Sequence, residues 1–238
     1  MEKDDIIISI ITVTYNEGEK IVPTIESVLN YMSKNDMRYE YVVIDGNSTD
    51  DTLEILRSYS SLTIVSEPDN GIYDAMNKGV RLSKGRWLYF INSGDVLKSL
   101  PVEKMKRTNV DLIACPVQTE TDIIYPSWGR CLMWHNSIPH QGAIYKRRAF
   151  ENYDIGYKVF SDYHHNIHLY KDGGTVIISS EPVIAFHSQI GVSHSKDSLS
   201  ELYLLIRREF GLLGVLATWL HFKYLGLKKR MRCKWMSF

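Results

Sequence analysis

The first half of the chain alternates short apolar runs with segments of helical periodicity. The β-branched run at 6–14 predicts a strand buried on both faces, and the runs at 39–45, 62–66 and 86–92 predict three more strands. Apolar residues recur at helical spacing between these runs, and "STDD" at 48–51 predicts the N-cap of the second helix. Strands that alternate with helices favour right-handed crossovers. The sequence therefore predicts an α/β fold with a Rossmann-like, mostly parallel central sheet and helices on both faces.

A polar segment follows each of the four predicted strands. Parallel strands end at the same edge of a sheet, where open α/β folds bind their ligands, so these segments are predicted to form one rim. They are residues 14–19, 45–51, 67–71 and 92–95, and they include Asp45, Asp69 and Asp95. A carboxylate at such a rim can accept a hydrogen bond from a nucleotide base or a ribose hydroxyl. Beside a diphosphate it needs a cation between the two negative charges.

Other interpretations of these polar segments are simpler or are excluded. Asp50 and Asp51 are typical of a turn and a helix cap. The stretch "DGNSTD" resembles a calcium loop, but Asp50 stands where such a loop requires Gly and Leu56 where it requires Glu. The segment after the first strand contains neither GxGxxG nor GxxxxGK, which excludes the usual dinucleotide and phosphate loops.

The second half of the chain is less regular. It predicts a strand pair, a strand that runs into a short helix, two further strands, a polar Ser-rich hinge and one or two C-terminal helices. These correspond to residues 110–117 with 121–126, 140–150, 175–180 with 182–188, 188–200, and the residues after 200. We divide the chain into a globular domain at 1–195, with halves at 1–98 and 99–195, and a basic helical tail at 196–238.

Charge is distributed unevenly along a chain whose formal net charge is +0. Residues 203–238 carry eight basic side chains and one acid, so this tail has a net charge of +7 and the remainder −7. An apolar face beside a Lys/Arg cluster predicts a helix that lies in an anionic membrane interface, and a helical hairpin packed on the core is the open alternative. The acidic remainder argues against nucleic acid as a partner.

Three sequence features bear on the compartment. The 3 cysteines form no CxxC pair, which favours a reducing environment over a disulfide framework. The start "MEKDD" is acidic, unlike a signal peptide. The longest apolar stretch, 211–222, is shorter than the ~20 residues that a spanning helix needs. We therefore expect a cytoplasmic protein, or one attached peripherally to the inner face of the cell membrane.

Four segments resemble family 2 glycosyltransferases, which have the GT-A fold. They are "SIITVTYNE", "VVIDGNSTDDT", "EPDNGIYDAMNKG" and "FINSGD", and the resemblance covers residues 6–195. The branch it indicates builds bacterial capsules, exopolysaccharide and O-antigen units. It implies an inverting transfer of a sugar from a nucleotide-diphosphate donor, expected to be UDP-linked, to a glycan or polyprenyl-linked acceptor. Mg²⁺ or Mn²⁺ is the implied cofactor.

The resemblance also implies a donor site. Nucleotide contacts are expected from Thr14, Tyr15, Asn16, Glu17, Asp45, Asp69, Asn77, Lys78 and Ser93, with Asp45 on the base. The family's acid-rich metal motif is reduced here to Asn92-Ser93-Gly94-Asp95, so Asp95 is the expected metal ligand. One or two protein carboxylates suffice for Mg²⁺ when phosphate oxygens and water complete its coordination. We therefore expect a weak metal site that the nucleotide completes.

The resemblance further implies that residues 1–98 form a nucleotide-binding half and residues 99–195 an acceptor half, which supplies the remaining candidates. The resemblance implies that Asp162 in "FSDYHH" is the catalytic base, and the alternative is an acid that only stabilises a helix N-terminus. His140 and Gln141 are expected near the acceptor or donor sugar. His187 fits a further metal ligand or phosphate contact, or a structural histidine at a strand end.

Four other histidines, at 164, 165, 168 and 194, show no evident metal spacing and are expected to be surface or packing residues. Two competing functions remain. A catalytically inactive nucleotide-sugar-binding partner in polysaccharide assembly would keep the donor site without turnover. A sugar nucleotidyltransferase would need a Gly-rich loop with Arg after the first strand, which "TYNEGE" lacks.

Overall fold

A seven-stranded sheet organises the fold in the computed structural model, which describes residues 7–188 and 196–235. The strands are β1 (Ile8–Thr14), β2 (Tyr39–Asp45), β3 (Thr63–Ser66), β4 (Trp87–Phe90), β5 (Val96–Leu97), β6 (Leu112–Ala114), β7 (Val117–Gln118), β8 (Ile123–Ile124), β9 (Ala143–Lys146), β10 (Val176–Ile178) and β11 (Ala185–Phe186). The helices are α1 (Val22–Ser33), α2 (Thr52–Arg57), α3 (Ile72–Leu82), α4 (Val102–Arg107), α5 (Ser161–Lys171) and α6 (Lys196–Trp235).

The strand order of the large sheet is β10-β6-β9-β4-β1-β2-β3. Strand β9 runs antiparallel to both of its neighbours, and the other pairs of this sheet are parallel. The four strands and three helices predicted for the first half are all confirmed, and so is the α/β class. A smaller sheet with the order β5-β11-β7-β8 lies beside the large one and contains the predicted strand pair as β7 and β8.

The alternation of side chains along the strands builds two cores on opposite faces of the sheet. All seven residues of β1 are buried. Ile8 and Ile10 pack in one cluster with α1, whereas Ile11 and Val13 pack in the other with α3. Because consecutive side chains of a strand point to opposite faces, an unbroken apolar run is what a strand covered on both sides requires.

Two predicted boundaries in the second half are wrong. The single strand expected at 110–117 is divided between β6 and β7, which belong to different sheets. Pro116 separates them, and a residue without an N–H cannot continue the ladder. The hinge expected at 188–200 is shorter than predicted, because α6 begins at Lys196. Its remaining residues, 189–195, lie outside the described part of the chain.

Helix α6 packs on α5 before Gly211 interrupts it. Leu202, Leu205 and Ile206 are buried against α5 in a third apolar cluster. Gly211 has φ 67° and ψ −159°, a conformation that glycine adopts without steric cost. Beyond it, large apolar side chains are exposed, among them Leu212 and Leu213. Within the described ranges, no helix combines the length and apolarity needed to cross a bilayer.

The buried imidazole of His165 makes the free energy of unfolding depend on pH. Burial lowers its pKa from 6.5 to about 4, with a further contribution from His164. The unfolded chain therefore binds a proton between about pH 6.5 and pH 4 that the folded chain does not, so stability falls as the pH falls through this window.

We expect His165→Phe to remove this component, because Phe fills the site among Tyr145, Phe150 and Tyr153 and cannot be protonated. Urea unfolding of the wild type and the variant at pH 7 and pH 4 would measure it. The loss of unfolding free energy between these two pH values should be smaller in the variant by on the order of 3 kcal/mol. Equal losses in the two proteins would contradict this assignment.

Candidate active site

The carboxyl ends of the first strands form one edge of the sheet, as the sequence predicts. Thr14 pairs in register with Asp45, and Asp45 with Ser66, so the last residues of β1, β2 and β3 are neighbours. The segment after β4 reaches the same edge, where the Ile91 amide donates to the Ile11 carbonyl. The rim is thus built by strand register.

Asp45 holds two rim loops together. The carboxylate is fully buried and accepts hydrogen bonds from the Ser48 hydroxyl and, at 3.0 Å, from the Ser48 amide. The Ser66 hydroxyl donates to the same carboxylate at 2.6 Å. Its immediate partners are therefore protein groups, and the expected contact with a base stays a prediction.

The loop after β1 is fastened to the loop after β2. Asn16, which has φ 51°, accepts a hydrogen bond from the Thr49 amide at 2.8 Å, and its own amide donates to Ser48 at 2.8 Å. The amide of Glu17 donates to the Thr52 hydroxyl at 3.0 Å. Tyr15 lies beside this junction with 59% of its surface exposed, which leaves its ring available to a flat ligand.

Asp69, in the loop before α3, and Lys78, within α3, are predicted nucleotide contacts, and both bond protein groups. Asp69 accepts from the Gly71 amide at 2.9 Å, in a turn that precedes α3. The Lys78 ammonium donates to the Pro68 carbonyl at 2.5 Å and lies 3.1 Å from the Glu67 carboxylate.

The side chain of Asn77 pairs with the backbone of Tyr153. Its side-chain amide donates to the Tyr153 carbonyl at 2.8 Å and accepts from the Tyr153 amide at 2.8 Å. Asn77 therefore joins α3 to the acceptor half. Its expected contact with the nucleotide stays a prediction.

The turn after β4 presents polar atoms to the rim. The Thr24 hydroxyl, at the start of α1, donates to the Asp95 carbonyl at 2.7 Å and accepts from the Gly94 amide at 3.0 Å. The side-chain oxygens of Thr14, Asn92 and Ser93 are buried and have no hydrogen-bond partner among the described residues. Buried polar atoms are normally paired, so these oxygens indicate where a polar ligand would bind.

Asp95 belongs to a three-residue cluster in which Asp95 and Gln141 are buried and His187 is partly exposed. Gln141 Nε2 donates to Asp95 Oδ2 at 2.8 Å, and His187 Nδ1 lies 2.7 Å from Asp95 Oδ1. Gln141 Nε2 and His187 Nδ1 are 3.1 Å apart. The hydrogen bond with Asp95 raises the pKa of His187, although burial opposes the shift. Three candidates from distant parts of the sequence thus converge on one point.

Gly142 permits this convergence. A Cβ at this position would lie 2.4 Å from the Cys115 carbonyl oxygen, and the Gly142 carbonyl accepts from the Cys115 amide at 2.8 Å. The 3-10 helix His140–Gly142 is therefore pressed against the end of β6, which carries Gln141 to Asp95.

Asp162 forms the second cluster, in the first turn of α5. The Tyr73 hydroxyl is 3.2 Å from Asp162 Oδ1 and 2.6 Å from the Val159 carbonyl. Asn136 Nδ2 donates to Asp162 Oδ2 at 3.3 Å, and His140 Nδ1 lies 3.7 Å from the same oxygen. Burial, and then the Asp162 charge, raise the pKa of Tyr73 well above its usual range, so its phenol stays protonated.

Sequence reasoning did not identify Tyr73 and Asn136. Tyr73 lies within the conspicuous segment "DNGIYDAMNKG", but the motif does not say which side chain faces the acceptor half. Asn136 belongs to an irregular segment without periodicity. Both lie beside Asp162 because of contacts between residues far apart in the sequence.

Adjacent residues connect the two clusters. His140 Nδ1 lies 3.7 Å from Asp162 Oδ2, and Nε2 of the next residue, Gln141, donates a hydrogen bond to Asp95 Oδ2. His140 Nε2 is buried and has no hydrogen-bond partner among the described residues. The carboxylates of Asp95 and Asp162 are thus held on either side of one 3-10 turn.

Comparison with known proteins agrees with this architecture. The family model described as Glycosyl transferase family 2 matches residues 9–171. A PGL/p-HBAD biosynthesis glycosyltransferase from Mycobacterium bovis is 28% identical over 200 residues, which is 77% of this chain and 77% of the relative. The Staphylococcus aureus poly(ribitol-phosphate) beta-N-acetylglucosaminyltransferase TarP is 34% identical over 115 residues, 44% of this chain and 35% of its own length.

Solved structures share the fold. S. aureus TarS superposes with a TM-score of 0.66 at 18% identity, covering 85% of this chain, which in turn spans 39% of that TarS chain. TarS 1-349 in complex with UDP-GlcNAc gives a TM-score of 0.67 at 15% identity, covering 89% of this chain and 70% of the other. The mannosyltransferase PcManGT from Pyrobaculum calidifontis, in complex with GDP-Man and Mn²⁺, gives a TM-score of 0.65 at 18% identity. The match covers 92% of this chain and 71% of the other. The strand-edge site, the family match and the shared GT-A fold together lead to one conclusion: the chain belongs to glycosyl transferase family 2.

Proposed function

We propose that the protein transfers a hexose from a UDP-linked donor, with inversion, to a hydroxyl of a glycan or polyprenyl-linked acceptor in cell-surface polysaccharide synthesis. The observation that carries the proposal is the pair of buried carboxylate clusters, at Asp95 and at Asp162, joined by His140 and Gln141. A group-transfer site needs one element that binds the leaving group and another that accepts a proton, and we assign these roles to the Asp95 cluster and to the Asp162 cluster.

Asp95 and His187 would hold the divalent cation. A carboxylate oxygen and an imidazole nitrogen 2.7 Å apart are a donor set that suits Mn²⁺ or Mg²⁺ when diphosphate oxygens and water supply the other ligands. Gln141 keeps the carboxylate oriented by bonding its second oxygen. When bound, the cation supplies positive charge to the diphosphate leaving group. The unpaired oxygens of Thr14, Asn92 and Ser93 would contact the donor.

Asp162 acts as the general base. It accepts the proton of the acceptor hydroxyl while that oxygen bonds to the anomeric carbon, and the bond between this carbon and the nucleotide diphosphate breaks. Tyr73 and Asn136 hold the carboxylate through its two oxygens. His140, with a buried and unpaired Nε2, would bind a sugar hydroxyl between the two clusters.

The relatives support the class of donor and of product. TarS is described in complex with UDP-GlcNAc and PcManGT with GDP-Man and Mn²⁺. The names of TarP and the mycobacterial relative refer to poly(ribitol-phosphate) and PGL/p-HBAD synthesis, which favours a cell-surface glycan as the product here. A catalytically inactive nucleotide-sugar-binding partner is the alternative, and donor binding without turnover would distinguish it.

Peripheral attachment to the inner face of the membrane is part of the proposal. After Gly211, α6 exposes apolar side chains that include Leu212 at 74%, Leu213 at 79% and Trp219 at 49%. Lys223 lies over the Trp219 ring at 4.7 Å, so cationic and aromatic groups are adjacent. The sequence continues with Lys228, Lys229, Arg230, Arg232 and Lys234, on which the structure describes only the helical backbone. Basic residues contribute about 1 kcal/mol each near an anionic leaflet.

The first prediction concerns the donor site. UDP with Mn²⁺ should raise the melting temperature of the wild type, because a ligand at 100 times its Kd stabilises a protein by about 2.7 kcal/mol. Asp95→Asn keeps the shape of the side chain and removes its charge, so the metal-dependent part of the stabilisation should be lost. Thermal unfolding with UDP, GDP, CMP and TDP, with and without Mn²⁺, measures both. The control is Asp122→Asn, in the turn between β7 and β8. Equal stabilisation of Asp95→Asn would exclude Asp95 as a ligand.

The second prediction concerns the base. Asp162→Asn should reduce the rate of transfer by roughly 10²–10⁴-fold, because the amide cannot accept the proton, while donor affinity stays at the wild-type value. Release of nucleotide from the donor in the presence of acceptor gives the rate, and calorimetric titration gives the affinity. Asp172→Asn, at the other end of α5, is the matched control. Near-normal turnover in Asp162→Asn would remove the assignment.

The third prediction concerns the membrane. The full chain should float with vesicles that contain anionic lipid and should not float with neutral phosphatidylcholine vesicles. Leu212→Glu with Leu213→Glu should abolish flotation by placing charge on the apolar face, and deletion of residues 226–238 should weaken it and remove its dependence on salt. Flotation of these variants at the wild-type level would refute attachment through α6.

A further inference from the structure

Helices α5 and α6 meet at a cluster of potential metal ligands away from the Asp95 site. His164 and His168 lie four residues apart on α5, so their rings share one face, with centroids 4.4 Å apart. Glu209 of α6 faces them: its Oε1 is 3.6 Å from His164 Nε2, and its Oε2 is 3.6 Å from His168 Nε2. One ligand atom from each of the three residues lies within 4.8 Å of the other two. The expectation that these histidines form no metal site is therefore not supported by the structure.

The spacing of these atoms fits a small tetrahedral cation. Zinc binds imidazole nitrogen and carboxylate oxygen at about 2.0–2.2 Å, which places tetrahedral ligand atoms about 3.3 Å apart. His164 Nε2 lies 3.6 Å from Oε1, slightly beyond that value, and His168 Nε2 lies 3.6 Å from Oε2, the other oxygen of the same carboxylate. The half-exposed ring of His168 has room to close the remaining gap, since its side chain is 48% exposed.

The surroundings of the cluster also fit a ligand. His164 Nε2 is buried and has no hydrogen-bond partner among the described residues, although it points at Glu209. Lys171 donates to Glu209 Oε2 at 2.6 Å, which provides the second hydrogen bond that a ligating carboxylate usually has. Arg208 Nε lies 3.8 Å from Oε1, so Oε1 is the less tightly held oxygen and the one that would coordinate.

We infer that His164, His168 and Glu209 form a zinc site that fastens α6 to α5. Two imidazoles and one carboxylate favour Zn²⁺ over Mg²⁺. The site would act on the same interface as Glu201, whose carboxylate accepts from the amides of Val159 and Phe160 before the first turn of α5. Asp162 stands in that turn. A metal here would hold the helix that carries Asp162, and this inference does not depend on the transfer reaction.

The test uses the untagged full chain after treatment with a chelator. Zn²⁺ is titrated in competition with a chromophoric chelator, and Co²⁺ is added separately to record the visible absorption of a tetrahedral site. We expect one Zn²⁺ per chain in the absence of nucleotide, and tetrahedral Co²⁺ bands. His164→Gln and His168→Gln should each weaken Zn²⁺ binding by more than about 100-fold, since even the loss of an outer hydrogen bond costs about 10–100-fold.

The control is His187→Gln, which removes the imidazole of the Asp95 cluster and should leave this Zn²⁺ affinity unchanged. Circular dichroism checks that the variants fold, and His168→Gln is the safer of the two because its side chain is half exposed. Absence of saturable one-to-one binding would overturn the inference. So would wild-type affinity in both His164→Gln and His168→Gln, or loss of the site in His187→Gln, since the cluster would then be only the Lys171–Glu209 ion pair with two neighbouring histidines.

Discussion

The complete burial of β1 is the constraint on which the rest of the structure depends. A strand with no exposed residue must be bonded to a neighbour on each side and covered by other elements on both faces. β2 and β4 provide the hydrogen bonds, and the cores beside α1 and α3 provide the cover. Parallel pairing then places the polar ends of the strands at one edge. The position of the site follows from the burial of a strand that carries no catalytic group.

The antiparallel direction of β9 brings the two halves of the site together. β9 lies between β4 and β6, runs antiparallel to both, and therefore begins beside the ends of these two strands. The residues just before it, His140 and Gln141, therefore lie at the rim instead of the opposite edge. His187 reaches the same point from the small sheet, where its amide donates to the Gln118 carbonyl at 2.8 Å. A single reversed strand thus connects the cluster at Asp95 with the cluster at Asp162.

The C-terminal helix has two regions with different physical characters. Before Gly211 it packs on α5, and Leu205 and Ile206 are fully buried. Glu201 accepts a hydrogen bond from the Phe160 amide at the start of α5, and Glu209 accepts one from the Lys171 ammonium at its end. After Gly211 it exposes leucine, tryptophan and tyrosine side chains. The helix packs on the rest of the protein before Gly211 and exposes apolar side chains after it, while the membrane-interface helix and the packed hairpin that the sequence left open for the tail stay predictions. The division of the chain at residue 195 stays a prediction.

The sequence by itself determined the fold class, the first four strands with their helices, and the rim, because apolar periodicity and strand-end chemistry are local properties. The resemblance to family 2 supplied Asp95, Gln141, His187 and Asp162 as separate candidates. Only the tertiary structure decided which of them touch, since the contacts from Asp95 to Gln141 and His187 span 46 and 92 residues. It also turned Asn77 toward Tyr153, divided one predicted strand at Pro116, and brought Glu209 to the histidines of α5. Such pairings depend on the packing of whole elements, which no local pattern encodes.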